Sequence, residues 1–251
     1  RVAQSVQNVA TLLLATQKSP DLDFTFRART TGEENITQAQ KQANSVEGFS
    51  GPQHINNRKL ISLSEGRVGD LAILIGNNQN DTSTEIPGEF NMPGWTHIGS
   101  RTHNATNEFR QANFYKILTH EDVNRGFVFA GVNAEINFTQ VLFFEPNVPI
   151  EAVNVYDFTS AANSTAGNGQ VINVASNVTS GPAIVVITKF VAGGGQPGTG
   201  ATLNTLDESF LEYQRTASPD NDPTTLKIRT SYDIQHNSDE YADITISTID
   251  D

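Results

Sequence analysis

Short apolar stretches with a period of two, separated by turns, recur along most of this chain. In "LDFTFRA", Leu22, Phe24, Phe26 and Ala28 alternate with Asp23, Thr25, Arg27 and Arg29, the pattern of a half-buried strand. "KLISL" and "DLAILIG" follow, joined by the turn "SEGRVG". The second is apolar at consecutive positions, as in a strand covered on both faces. "FYKIL", "GFVFAGV", "AEINFTQVLFFE" and "IEAVNVYDF" continue the series, with Pro146 and Pro149 confining "EPNVP" to a connection. "PAIVVITKFVA" reads as the most buried strand and "GGGQPGTG" as a flexible loop. In the tail, Leu226, Ile228 and Ile234 share a face with Thr230 and Tyr232, and Ala242, Ile244 and Ile246 oppose Asp243, Thr245 and Ser247. About ten such strands predict an all-β fold, an antiparallel β-sandwich of jelly-roll type over residues 20–251. A parallel sheet lacks the helices it would need. Leu71, Ile73, Ile75, Trp95, Val185 and Ile187 are the predicted core.

Two segments depart from this period. In "RVAQSVQNVATLLLA", Val2, Val6, Val9 and Leu13 are spaced by four, three and four, which predicts a short N-terminal helical segment within residues 1–19. Such a helix either lies on its own domain or serves as an arm. Val2, Val6, Val9, Leu12 and Leu13 are then the candidate assembly contacts. Pro20 ends the segment. A second short helix is expected near residues 37–46.

A chain of 251 residues is long enough to bury a core without covalent staples. Its net charge of −12 and lack of any Lys/Arg-rich segment argue against nucleic-acid binding. With no cysteine, disulfides, thiolate metal sites and cysteine nucleophiles are excluded. The longest apolar runs, near "LAILI" and "AIVVI", fall far short of the roughly 20 residues of a membrane-spanning helix. The first residues hold no charged, apolar and small-residue pattern of a signal peptide, so none is expected. Six Asn-x-Ser/Thr triplets occur, close to the roughly four or five that composition alone predicts.

Chemistry-bearing residues concentrate between Pro93 and Asp122, which hold the single tryptophan and three of the five histidines. His97 and His103 lack a third ligand and the short spacing of a zinc site, and read as loop residues. Thr119 followed by Glu121 and Asp122 resembles a turn or a helix N-cap, with acids where the helix dipole favours them. Trp95, after the turn dipeptide Pro93-Gly94, is expected to begin a strand with its indole facing a core or an interface. "GFSG" lacks the spacing of a nucleophile elbow, and "GGGQPGTG" lacks the Lys-Ser/Thr end of a phosphate loop. "SPDNDP" and "NNQND" do not follow a calcium-loop pattern. No catalytic, cofactor-binding or metal-binding residue is assigned.

The order of the segments is more informative than any one residue. "GRVGDLAILIG", "PGWTHIGS", "FYKILTHED", "VFAGVNAEINFTQVLFFE", "GPAIVVITKFVAGG" and "DIQHNSDEYADITIST" follow in series. This resembles a β-sandwich domain that recurs in bacteriophage virion proteins: tail fibre, appendage and minor structural proteins. The resemblance covers residues 20–251. Its motifs fall on Gly69-Asp70 opening a buried strand, on the turn Pro93 to Thr96, on Tyr115, Lys116, Leu118, Thr119 and Asp122, and on a terminal strand of alternating Ile and Thr in "ADITIST". The chain departs from the pattern in "FFEPNVPIEAVNVYDF", where a basic edge is usual. The resemblance implies a non-enzymatic structural protein of a tail, fibre or surface appendage, made in the host cytoplasm and carried on the virion. Implied partners are further copies of itself, other virion proteins and a host surface glycan. Two other classes stand beside it: a lectin-like module stacking sugar on Trp95 or Tyr232, and a glycan depolymerase with dispersed carboxylates.

Overall fold

The computed structural model describes residues 6–17, 21–32, 34–35, 58–80, 92–103, 108–131, 136–163, 170–174, 182–192, 201–202, 215–217, 224–235 and 244–248. Among them the chain is mostly β-strand, and the paired strands run antiparallel. The chain divides into two compact units, Phe24–Ile150 and a second formed by residues 1–23 with 151–251. The expected helix at 37–46 lies outside the described residues.

The unit Phe24–Ile150 holds strands β2 (Phe24–Gly32), β3 (Glu34–Asn35), β4 (Arg58–Ser62), β5 (Leu71–Asn80), β6 (Thr96–His103), β7 (Glu108–Ile117), β8 (Phe127–Gly131) and β9 (Ile136–Pro146). They form a five-stranded sheet, β2-β9-β5-β7-β6, and a three-stranded one, β3-β4-β8. β5 is central, bonded to β9 on one edge and β7 on the other. Leu71 to Ile75 are fully buried at every position, so the unbroken apolar run marks a strand with no solvent face. Ala72 and Leu74 join Ala112, Phe114, Val141 and Phe143 in one apolar cluster, to which β4 and β8 add Ile61 and Val128. Burying such side chains contributes about 1.5–3 kcal/mol each.

The alternation in "LDFTFRA" is broken by a bulge. Phe26 pairs with Phe144 but Ala28 pairs with Phe143, leaving Arg27 as the extra residue. Phe26 therefore meets Phe144, edge to face at 5.6 Å, while Ala28 packs on the cluster of the opposite face. A strict period of two would have put both on one side.

The other unit holds β1 (Val6–Gln17), β10 (Ala152–Asn163), β11 (Gln170–Val174), β12 (Ala183–Ala192), β13 (Ala201–Thr202), β14 (Arg215–Ala217), β15 (Thr224–Gln235) and β16 (Ile244–Thr248). Its sheets are β10-β1-β12-β15-β14 and β11-β16-β13. The expected N-terminal helix is thus a strand, and residues 6–17 are not a free arm: β1 is bonded along its length to β10 and β12. A strand repeats every two residues rather than every three or four, so the spacing that predicted a helix does not match the structure of this segment. The β-branched content of "VQNVATLLLATQ" suits a strand, and Leu14 and Thr16 are buried. Val2 lies outside the described residues. Val185 is buried as expected; the side chain of Ile187 is outside the described set.

The two units share one strand plan. β2-β9-β5-β7-β6 corresponds to β10-β1-β12-β15-β14, and the pair β4-β8 to β11-β16. β4 begins 13 positions before β5 (Arg58, Leu71), and β11 begins 13 before β12 (Gln170, Ala183). Registers agree as well. Leu71 faces the last residue of β7, Ile117, as Ala183 faces the last residue of β15, Gln235. Counting back from those ends, the buried Ala112 and Phe114 match the buried Thr230 and Tyr232. A bulge recurs too, with Tyr156 of β10 left over opposite Leu13 and Leu14.

Candidate functional site

Three of the segments in that series, Gly69-Asp70, Pro93 to Thr96 and Tyr115 to Asp122, meet at one end of the sheet in unit Phe24–Ile150. Gly69, at φ +91°, turns the chain into β5. Its amide donates to Leu118 O (2.8 Å), and Leu118 N donates to Asp70 O (2.9 Å), so the β5–β7 ladder continues past both strand ends. The turn before β6 closes with Trp95 N donating to Met92 O (3.1 Å), and Gly94 sits at φ +76°. Trp95, 8% exposed, shares the cluster with Leu118 and Met92. It precedes β6 with its indole in the core, as expected.

The residues after Leu118 form the helix α1 (His120–Arg125). The Thr119 hydroxyl accepts from the Asp122 amide, and the Asp122 carboxylate accepts from the Thr119 amide (2.8 Å), a capping box. Glu121 and Asp122 occupy the first turn, Arg125 the last, as the helix dipole favours. Lys116 reaches over from β7 and donates to Asp122 Oδ1 at 2.6 Å. Burial is the largest influence on Asp122 and works to raise its pKa. The Lys116 ammonium and the Thr119 hydroxyl and amide together outweigh it, holding the carboxyl below its ordinary value.

A second charged group lies at the bulge. Arg27 Nε donates to Asp70 Oδ2 at 3.1 Å, and Arg27 Nη2 donates to Glu65 O at 2.9 Å. The Arg67 amide also donates to Asp70 Oδ2, at 2.8 Å. Glu145 takes both guanidiniums, Arg27 at 3.5 Å and Arg67 at 3.4 Å. Burial pushes the Asp70 carboxyl above its usual range; the Arg67 amide and Arg27 pull it back without cancelling the rise. Its side chain is 2% exposed. Arg27, read from the alternation as a solvent-facing position, is instead re-aimed by the bulge onto a partner 43 positions away.

This arrangement holds chain segments together. Asp70 and Asp122 are each bound to a cation and a backbone amide. His97 and His103 both fall in β6 rather than in a loop, because the strand continues through "THIGSRTH". The His97 ring lies against Phe114 at 5.1 Å, and His120 is exposed at the start of α1. Among the described residues no group of three or more His, Cys, Asp or Glu is placed to hold a metal ion, and no helix is long and apolar enough to cross a membrane. Of the candidate assembly contacts, Val6, Val9, Leu12 and Leu13 lie in β1. Compared with known proteins, the chain matches no family model, no curated protein and no solved structure.

Proposed function

We propose that this chain is a non-enzymatic structural component of a bacterial virus particle, carried in a tail, fibre or surface appendage. In this reading each unit is a jelly-roll-like sandwich of a five-stranded and a three-stranded sheet. Its partners are further copies of itself and other virion proteins, with a host surface glycan as an outer contact. The observation that supports it is the convergence of Gly69-Asp70, Pro93 to Thr96 and Lys116 to Asp122 on one interlocked junction. Those residues serve there as structural anchors, and the resemblance transfers no catalytic role to them. Function is drawn from this likeness, since a fold alone does not define one.

The glycan-stacking reading named two rings, and both are buried, Trp95 at 8% and Tyr232 at 7% exposure. Neither offers an open platform. The reading frames beside the gene test the proposal. Frames for sheath, baseplate or portal proteins are the expected neighbours. A flanking set of metabolic or transport genes would count against a virion role.

A further inference from the structure

β9 and β1 occupy the same position in the two strand plans, yet they are supplied differently. β9 fills its place between β2 and β5 from within its own unit, directly after β8. β1 fills the place between β10 and β12, but it precedes the other unit in the chain, and its partners lie at least 135 positions later, at Ala152 opposite Gln17. Residues 18–23 connect it to β2. We propose that β1 is exchanged between copies, so that β1 of one molecule occupies the place between β10 and β12 of another.

The same backbone bonds form whether β1 comes from its own chain or from a second one: Gln7 to Gln17 against β10, and Val6 to Ala15 against β12. The two arrangements differ in the connecting segment and in concentration, so mass action selects between them. Closing the sheet within one chain costs little loop entropy, because the intervening unit is folded with Phe24 opposite Pro146. Only the connections 18–23 and 147–151 separate those residues from Gln17 and Ala152, so the single chain is favoured when dilute. A neighbour at high local concentration offsets that advantage of the single chain. Reciprocal exchange closes a dimer, and sequential exchange links copies head to tail. The occupant is a second copy of this chain, because only that strand carries this register. The proposal deepens the self-assembly part of the virion reading.

The chain has no cysteine, so introduced pairs report unambiguously. Gln7 and Val191 are direct partners across β1 and β12, and Asn78 and Asn137 across β5 and β9. Wild-type protein should show concentration-dependent oligomers in sedimentation velocity. The Gln7→Cys/Val191→Cys protein, concentrated and then oxidised, should run as disulfide-linked multimers on a denaturing gel and collapse to monomer with reductant. The Asn78→Cys/Asn137→Cys protein should link within one chain. Wild-type that stays monomeric at every concentration, or a first pair that links only within chains, overturns the exchange. Interchain links from both pairs also overturn it. These readouts use purified chain alone, so absence of the protein from particles would sink the virion reading and leave exchange standing.

Discussion

Gly66 lies under the junction, where there is no room for one more carbon. A Cβ there would sit 2.4 Å from Leu118 Cδ1 and 2.9 Å from Phe143 Cε1. Apolar carbons in contact prefer about 3.5–4.0 Å, so Gly66→Ala must displace Leu118 by roughly an ångström. Leu118 and Phe143 are 1% and 0% exposed and belong to the same cluster as Trp95, so the strain has no solvent route of escape. Overpacking of this kind costs about 1–3 kcal/mol. For a unit of this size that lowers the thermal midpoint by about 4 °C per kcal/mol, or roughly 4–12 °C. Thermal unfolding followed by the emission of the single Trp95 reports on this cluster directly. Leu118→Val removes the colliding Cδ1 and alone costs about 1 kcal/mol. Together the two changes should cost less than their sum by about 1 kcal/mol. A Gly66→Ala protein as stable as wild type, or strictly additive effects in the pair, would refute the packing argument.

Three residues and one strand give further expected outcomes. Thr119→Ala removes the hydroxyl of the capping box and should cost about 1 kcal/mol in chemical denaturation, with Thr119→Ser restoring most of it. Asp122 has a depressed folded-state pKa, so its contribution is present above its unfolded value and is lost as pH falls through the folded one; Asp122→Asn should flatten the acid limb of stability against pH. Asp70 has a raised folded-state pKa, so its contribution is fully present below the unfolded value and is lost as pH rises through the folded one; Asp70→Asn should remove that decline, and an unchanged slope would contradict it. Deleting residues 1–17 takes β1 from between β10 and β12 and should abolish the unfolding transition of that unit while Phe24–Ile150 keeps its own; an unchanged β spectrum would show that β1 is dispensable.

Strands with strong local patterning were legible in the sequence. The unbroken run "LAILI" marked β5 as covered on both faces, and Thr119 with Glu121 and Asp122 marked the N-cap of α1. What escaped depends on distant partners. Nothing within "VQNVATLLLATQ" reveals that β10 and β12 will flank it, and its valines and leucines satisfy a helical spacing as readily as a strand. Pairing with segments more than a hundred residues away overrides that local preference. Arg27 escaped for a similar reason: a bulge is set by the register against Phe143 and Phe144, and a single inserted residue sends Ala28 and its successors to the other face. The two-unit plan was hidden because it rests on strand order and register, and "LAILI" and "AIVVI" are its clearest trace in the residues themselves.

Quantitative mass spectrometry of purified virus particles from the source that carries this gene tests the virion role most directly. The expected result is peptides from both units, in several copies per particle and at a fixed ratio to the other structural proteins through successive purification steps. A chain abundant in the infected-cell lysate but lost from the particles on purification would contradict it.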